Sequence, residues 1–287
     1  MVASADVKNK TAIVTGTTSG LGRSVARVWA AQGANVVATG RREELGRELE
    51  KDASEEGHEL VFVAGDVART ADCRAAVQTA AERYGGVDIL VNNAGIEGVV
   101  SHTHEVGDED WDAVFDTNIG GAFRMARAVI PVMKERGGGT ILNIASINGM
   151  EAPLAHMAAY NSSKAAVVQF SNTLAIEYLL DNIRSNAIIL GGVRETELGT
   201  GSRTQEALAK IMRGPDYVRP PANQDDPLSD FVLQDPDEVA GMLSVLCSDA
   251  MRLMTGAAIA LDRAMTAGFT GSMFVHLSTA NMLQITS

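Results

Sequence analysis

The stretch TAIVTGTTSGLG, residues 11–22, decides the fold of this chain. Its first five residues are largely apolar without a break, which predicts a strand buried on both faces, as in a parallel sheet. Three glycines, Gly16, Gly20 and Gly22, follow at once and lead into a segment with helical spacing. Glycines at this junction let the backbone turn tightly and approach a pyrophosphate, whose charge then meets the helix N-terminus. The stretch therefore predicts the first βαβ unit of a dinucleotide-binding sheet.

The same alternation of strand and helix continues along most of the chain. Short apolar runs that predict buried strands occupy residues 11–15, 35–39, 60–64, 88–91, 140–145, 185–190 and 257–261. Segments with helical spacing lie between them, at 20–33, 42–56, 70–84, 108–136, 158–180 and 236–249. This order predicts an α/β fold, a Rossmann-type doubly wound parallel sheet of about seven strands flanked by helices. Since no linker interrupts the pattern, we expect a single domain over residues 1–268.

Two segments fall outside this alternation. Five of the seven prolines lie between residues 215 and 236. Because the connection that holds them is so long, we interpret residues 191–236 as a substrate lid. The chain carries no Asp, Glu, Lys or Arg after Arg263, and we expect residues 269–287 to form an uncharged extension. Whether that extension packs against a second subunit or covers the pocket stays open at this stage.

Composition and charge exclude several classes of protein. Of the 287 residues, 46% are apolar and 21% are charged, which is typical of a globular protein. A net charge of −12 argues against nucleic acids and anionic membrane surfaces as partners. The sequence has no run of about 18 apolar residues that would span a membrane, and its N-terminus lacks the apolar stretch of a secretory signal. The two cysteines, Cys73 and Cys247, have no metal-site spacing, so we expect a cytoplasmic protein with reduced thiols and no metal.

The end of the second predicted strand selects the adenosine half of the cofactor. An acidic residue there would accept hydrogen bonds from a ribose 2′-OH and repel a 2′-phosphate. This chain instead reads ATGRREE over residues 38–44, with Arg41 and Arg42 at the strand tip. Guanidinium groups are charged, planar donors that suit a phosphate. The sequence therefore favours NADP(H) over NAD(H); the alternative is that the two arginines merely open a solvated helix.

A tyrosine and a lysine, Tyr160 and Lys164, lie four residues apart in the run AAYNSSKAA, residues 158–166. At this spacing on a helix the two side chains share one face. Free tyrosine has a pKa near ~10, and a cation within about 4–6 Å favours the phenolate and lowers that pKa. General acid–base catalysis is most effective when the pKa lies near the working pH. We therefore expect Lys164 to lower the pKa of Tyr160; taken alone, however, such a pair also occurs by chance on a helix.

Five motifs in this order resemble the short-chain dehydrogenase/reductase family, in its shorter, single-domain branch. They are TGTTSGLG (15–22), NNAG (92–95), Asn118, Ser146 and YNSSK (160–164). The resemblance extends over residues 8–268 and implies an oxidoreductase that interconverts a ketone and a secondary alcohol by hydride transfer. It implies that Tyr160 is the general acid/base and that Ser146 holds the substrate oxygen. Lys164 would also hold the ribose hydroxyls of the nicotinamide half, and Asn118 would hold a water that relays protons.

The resemblance also implies which residues contact the cofactor. Ala94 and Gly95 would let a ribose approach closely, and Asn92 would brace the interior of the sheet. Asp66 would contact the adenine, unless it only forms a turn. The full expected set is Gly16, Thr18, Ser19, Gly20, Leu21, Gly22, Arg41, Arg42, Asp66, Val67, Asn92, Ala94, Gly95, Tyr160, Lys164, Gly191, Val193 and Thr196.

The sequence departs from the family pattern after the sixth strand. Leu190 replaces the usual proline, and Thr196 lies one residue late for its contact with the cofactor's carboxamide. The usual Asp-Gly-Gly near the C-terminus reads Asp262-Arg263-Ala264. We therefore expect an unusual nicotinamide end and an altered exit from the last strand.

The resemblance further implies a homodimer or homotetramer, with helices 108–136 and 158–180 at the interface. Two alternatives to ketone reduction remain at this stage. The same fold serves epimerisation, dehydration or redox-assisted cyclisation in some members, and a protein of this kind can also bind a cofactor without turning over.

Overall fold

The computed structural model of the chain describes residues 6–150, 154–194 and 233–263. These residues form a seven-stranded parallel sheet with the spatial order β3-β2-β1-β4-β5-β6-β7. The strands are β1 (Thr11–Thr15), β2 (Asn35–Gly40), β3 (Leu60–Ala64), β4 (Ile89–Asn92), β5 (Gly139–Ile144), β6 (Ile183–Leu190) and β7 (Ala258–Leu261). The chain winds outward in both directions from β1 and β4, so a crevice opens at their carboxyl ends. The prediction of a doubly wound sheet with seven strands is confirmed.

Helices cover both faces of the sheet. They are α1 (Gly20–Ala31), α2 (Glu43–Glu55), α3 (Thr70–Tyr84), α4 (Asp108–Phe115), α5 (Gly121–Glu135), α6 (Ala158–Glu177) and α7 (Pro236–Leu246). Local sequence explains where several begin and end. The Asp235 side chain accepts hydrogen bonds from the backbone N–H groups of Asp237 and Glu238, and Pro236 occupies the first turn of α7. Gly85 ends α3 with a φ of 78°, a left-handed conformation that glycine adopts without strain.

The hydrophobic core has a layer on each side of the sheet. Helices α1, α2 and α7 pack on one face, where Trp29 is fully buried and donates its indole N–H to the Ala240 carbonyl at 2.9 Å. Helices α3, α5 and α6 pack on the other face, where Met125 and Met133 are fully buried. Since the strands are covered on both faces, they read as continuous rather than alternating apolar runs.

The predicted helical segment 108–136 is not one regular helix. A π-helical turn, Asp116–Gly120, separates α4 from α5. The sequence indicated an irregularity here, because Asn118 followed by two glycines is poor helix material. Gly121 also lies against Val67: a Cβ atom at Gly121 would come within 2.6 Å of the Val67 Cγ2 atom. The irregular turn lies beside the crevice, and π-helical turns are frequent at functional sites.

The departures from the family pattern near the last two strands are accommodated locally. Leu190 pairs with Leu261, and the next residue, Gly191, donates its N–H to the Leu261 carbonyl at 3.1 Å. Val193 then forms a parallel bridge with Gln234. Arg263 has a φ of 49°, so it adopts the left-handed conformation that a glycine would favour at this position.

Several expectations fall outside the described residues. They are the greater part of the predicted lid, Thr196 within it, and the extension 269–287. Among the helices that the structure describes, none is both long and apolar enough to cross a membrane.

Candidate active site

Four side chains that the sequence predicted to be catalytic lie at the carboxyl edge of the sheet. Tyr160 and Lys164 lie in the first two turns of α6, Ser146 follows β5, and Asn118 lies in the π-helical turn. All four are buried, with exposed fractions of 9% for Tyr160, 4% for Lys164, 8% for Ser146 and 3% for Asn118. Buried polar side chains in such numbers require hydrogen-bond partners, and the partners define the site.

The tyrosine and lysine face the same space, as their spacing predicted. The Lys164 Nζ atom lies 5.8 Å from the centroid of the Tyr160 ring. It donates a hydrogen bond to the carbonyl of Ile144, the last residue of β5, at 2.8 Å. A Cβ atom at Gly149 would come within 2.6 Å of the Lys164 backbone, so glycine lets this loop pack directly on α6. The ammonium group is therefore held at the edge of the sheet beside the phenol.

The acidity of the phenol differs from the sequence expectation. Burial raises the pKa of Tyr160 to about 12, because desolvation disfavours the phenolate. A hydrogen bond from Ser146 lowers the pKa, whereas the charge of Glu97 raises it. Burial also lowers the pKa of Lys164 to about 8. The sequence argument counted the attraction of the cation but not the loss of water around both groups, and so predicted the wrong direction for Tyr160.

Asn118 connects three parts of the site. Its Oδ1 atom accepts a hydrogen bond from the Ile96 N–H at 2.8 Å, and its Nδ2 donates to the Ile96 carbonyl at 2.9 Å. The same Nδ2 donates to the Ser163 Oγ at 2.9 Å, and Ser163 in turn donates to the Tyr160 carbonyl at 2.8 Å. The sequence analysis did not single out Ser163, although it belongs to the quoted motif YNSSK. A small hydroxyl residue directly before the lysine was the available signal.

The glycine turn after β1 adopts the form that the sequence predicted. Gly16 has a φ of 73°, and its N–H donates to the Thr39 carbonyl at 2.8 Å. A Cβ atom at Gly22 would lie 2.2 Å from the Gly16 carbonyl oxygen, so the third glycine permits close packing of α1 on the turn. The N-terminus of α1 thus opens directly onto the crevice, where it can face a phosphate.

Two residues that the sequence analysis missed, Thr15 and Asn93, join the glycine turn to the segment that follows the neighbouring strand β4. The Thr15 Oγ1 atom accepts hydrogen bonds from the N–H groups of Asn93 and Ala94, both at 3.0 Å. The Asn93 Nδ2 donates to the Thr15 carbonyl at 2.8 Å. A Cβ atom at Gly95 would lie 3.4 Å from the Lys164 Nζ. The glycine turn and the buried lysine are therefore two ends of one crevice, with the NNAG segment between them.

Strand β2 ends in a glycine, Gly40, which has no side chain that could repel a phosphate. A Cβ atom at Gly40 would lie 2.9 Å from the Thr18 Cγ2, so glycine fills this position tightly. The next two residues, Arg41 and Arg42, are exposed. The Arg42 Nε donates to the Thr18 Oγ1 at 3.1 Å, and its guanidinium also donates to the Ser19 Oγ at 2.6 Å. A cation and two hydroxyl groups thus lie together over the glycine turn.

Three other expected cofactor residues have visible structural roles. The Asn92 Nδ2 donates to the Asn143 Oδ1 at 2.9 Å, which is the expected brace between β4 and β5. The Asp66 Oδ1 accepts from the Ala68 N–H at 3.0 Å, so this side chain forms a turn, and its contact with the adenine stays a prediction. Leu21 is buried in the core. Within the described residues these side chains therefore support the crevice.

A glycine turn beside a buried serine, tyrosine and lysine, at the edge of a doubly wound sheet, is the arrangement expected of a nucleotide-dependent oxidoreductase. The chain belongs to the short-chain dehydrogenase family: residues 10–207 match the family described as short chain dehydrogenase. Members of this family act on CH–OH groups or carbonyls of small molecules, as the names of the relatives below indicate.

Two curated relatives and one solved structure illustrate the similarity. Glucose 1-dehydrogenase 2 of Bacillus subtilis (strain 168) is 32% identical over 263 residues, which cover 91% of this chain and 96% of that protein. D-beta-hydroxybutyrate dehydrogenase of Cupriavidus necator is 32% identical over 258 residues, covering 89% and 97%. L-Sorbose reductase from Gluconobacter frateurii, solved with NADPH and L-sorbose, matches with a TM-score of 0.77 and 32% identity over 90% of this chain and 97% of that chain.

Proposed function

We propose that the protein is an NADP(H)-dependent oxidoreductase that reduces a ketone to a secondary alcohol or catalyses the reverse reaction. The observation that carries the proposal is the buried group of Ser146, Tyr160 and Lys164 at the end of the crevice that begins at the glycine turn. A hydride acceptor of the carbonyl type needs a proton at its oxygen, and a buried phenol beside a hydroxyl group can supply it.

Tyr160 supplies the proton in the direction of reduction. With a pKa of about 12, its phenol is protonated at neutral pH and is ready to donate. Ser146 holds the substrate oxygen next to the phenol, and its own hydrogen bond stabilises the phenolate that remains. The cofactor supplies the hydride, and the protein supplies orientation and the proton.

Lys164 and Asn118 complete the set. In the proposed complex Lys164 holds ribose hydroxyls, which is supported by the position of its ammonium next to Gly95, a residue without a side chain. Its charge also stabilises a phenolate formed during the reaction. Asn118 fixes the Ile96 backbone and, through Ser163, the start of α6, so it positions the relay that returns a proton to Tyr160.

The preference for NADP(H) is supported by the group over the glycine turn. Arg42, Thr18 and Ser19 offer a charged donor fork and two hydroxyl groups, which suit a 2′-phosphate. The packing of Gly40 on Thr18 leaves no room for an acidic side chain at residue 40. The NADPH bound to the L-sorbose reductase neighbour is consistent with this proposal.

We further propose a cytoplasmic homodimer or homotetramer with a single domain over residues 1–268. An exposed apolar groove supports the oligomer. It lies on the outer side of α4, the π-helical turn and α5, and is lined by Asp112, Phe115, Asp116, Ile119, Gly120 and Phe123. Phe123 is 45% exposed there, and a second subunit that packs on the groove would cover its ring.

A panel of ketones tests the function. Consumption of NADPH and of NADH, followed by absorbance, should be ketone-dependent and faster with NADPH. A preference for NADH would refute the cofactor assignment alone. NADPH binding without reduction of any ketone in the panel, together with no reduction of NADP+ by the corresponding alcohols, would refute the oxidoreductase proposal.

A further inference from the structure

Arg124 is a partly buried cation next to the π-helical turn, and the mechanism above does not use it. It lies in α5, and 20% of its side chain is exposed. Its Nη1 atom donates a hydrogen bond to the Asp116 carbonyl at 3.0 Å, and its Nη2 atom donates to the Asp116 carboxylate. Asp116 is the first residue of the turn that carries Asn118. The guanidinium group therefore holds both the backbone and the side chain at the start of this turn.

The guanidinium group lies against a glycine of the same turn. A Cβ atom at Gly120 would lie 2.8 Å from the Arg124 Nη1 and 3.2 Å from the Asp116 Oδ1. A side chain at position 120 would therefore displace the arginine from its partner. Gly120 thus has a second role besides interrupting the helix, because it leaves the space in which Arg124 and Asp116 meet.

The same nitrogen atom of Arg124 also reaches the loop that follows β3. It donates to the Val67 carbonyl through a longer contact of 3.5 Å, and Gly121 packs directly on the Val67 side chain. The Asp66 N–H, one residue earlier, donates to the Asp72 Oδ2 at the start of α3, at 2.9 Å. The loop is therefore fixed to α3 at one residue and linked to the π-helical turn at the next.

The loop and the turn belong to different parts of the crevice. The loop begins beside the proposed site of the adenosine half: the Gly65 N–H donates at 3.0 Å to the carbonyl of Gly40, the end of the strand that leads into Arg42. The turn instead carries Asn118, whose side chain bonds to Ser163 next to the candidate catalytic group. The guanidinium group therefore joins a segment at the adenosine end of the crevice to a segment at its catalytic end.

We propose that Arg124 is a positioning residue that couples occupancy of the adenosine end of the crevice to the turn that holds Asn118. A bound adenosine half restrains the loop after β3, and the bonds of Arg124 pass this restraint to Asp116 and so to the turn. A misplacement of about 1 Å at a catalytic group can cost about 100-fold in rate, so a better-fixed Asn118 favours the reaction. The inference rests on the proposed NADP(H)-dependent function.

The test uses 2′,5′-ADP, which carries the adenosine half with its 2′-phosphate but no nicotinamide. Hydrogen exchange of backbone amides, followed by mass spectrometry, reports on the loop (residues 65–69) and on the turn (Asp116–Gly120) separately. In the wild type, 2′,5′-ADP should slow exchange in both segments, in the turn by at least about threefold. In Arg124→Gln, which removes the charge and the fork of donors, it should slow exchange in the loop alone.

Steady-state kinetics and matched variants separate positioning from general stability. Arg124→Gln should lower kcat with NADPH about tenfold and leave the KM for NADPH within about threefold of the wild type. Arg124→Lys keeps the charge and should restore part of both signals; it also serves if Arg124→Gln does not fold. Lys134→Gln removes another cation of α5, paired with Asp181 at 3.0 Å, and should change neither signal. Thermal melting and size-exclusion chromatography establish that each variant is folded and assembled as the wild type is.

Two outcomes would overturn the inference alone. One is an active wild type in which 2′,5′-ADP leaves exchange in the turn unchanged. The other is a folded Arg124→Gln that keeps either the slowed exchange of the turn or the kcat of the wild type. By contrast, a wild type in which neither 2′,5′-ADP nor NADPH slows exchange in any segment, and which reduces no ketone of the panel, would overturn the proposed function, and the inference with it.

Discussion

Replacing the buried Lys164 by methionine should change how the stability of the protein depends on pH. Methionine has a similar length and no charge, so Lys164→Met removes the ammonium group without opening a large cavity. The pKa of Lys164 is lowered from 10.5 to about 8 by burial. Between these values the unfolded chain binds more protons than the folded protein, so this lysine makes wild-type stability rise with pH in that window.

The size of the effect follows from the shift. Lowering the pKa of Lys164 from 10.5 to about 8 corresponds to a cost of about 3 kcal/mol for the charged form in the folded protein. About 2 kcal/mol of this is recovered between about pH 7 and about pH 9.5, as the folded protein releases the proton. The variant cannot recover it. Between about pH 7 and about pH 9.5, the free energy of unfolding of the wild type should therefore rise by about 2 kcal/mol relative to that of Lys164→Met.

Urea unfolding of both proteins at the two pH values measures this difference. The lost hydrogen bond to the Ile144 carbonyl shifts the comparison by the same amount at each pH, and Tyr160, with a pKa of about 12, stays protonated in the folded protein over this range. Lys51→Met, which removes a lysine side chain that is 74% exposed on α2, is the matched control and should show a nearly constant gap from the wild type. A constant gap for Lys164→Met as well would refute the reasoning.

Three further substitutions test other parts of the structure. Arg42→Ala should lower kcat/KM for NADPH by about 10–100-fold and leave NADH nearly unaffected, because it removes the charged donor beside the proposed 2′-phosphate site; an equal loss with both cofactors would contradict this. Ser146→Ala should raise the pKa of Tyr160 further and lower kcat by about 100-fold, as measured by steady-state kinetics across pH; an unchanged kcat would exclude Ser146 from the reaction. Gly46→Ala should destabilise the protein by ~1–3 kcal/mol in thermal or urea unfolding, since its Cβ would lie 2.2 Å from the ring of the buried Phe62; an unchanged stability would mean that α2 does not pack on β3 as described.

Most of the fold was predictable because its signals are local. Continuous apolar runs and the glycine turn at residues 16–22 fix the strands and the first crossover, since both depend on neighbours in sequence. The π-helical turn was less predictable. The pair Gly120 and Gly121 indicated a break, but the turn's anchor is the bond between Asn118 and Ile96, 22 residues apart, which no local pattern reveals.

The chemical character of the site was only partly predictable. The spacing of Tyr160 and Lys164 predicted that the two side chains share one face of a helix. Their pKa shifts, by contrast, depend on desolvation by elements that are distant in sequence. The sequence predicted Thr15 only as the last residue of a strand, although its side chain accepts two hydrogen bonds from the backbone of the NNAG segment. The burial of Glu97 was not predictable either, because an acidic residue in a loop is usually solvated.

The role of Tyr160 as the proton donor can be measured with Tyr160→Phe, which removes one oxygen atom and keeps the ring. NADPH oxidation with the best ketone of the panel should fall by at least about 1,000-fold in kcat, while the affinity for NADPH and the melting temperature stay close to those of the wild type. NADPH fluorescence titration and thermal melting provide these two controls. A folded, NADPH-binding Tyr160→Phe variant that keeps a kcat within about tenfold of the wild type would show that another group donates the proton.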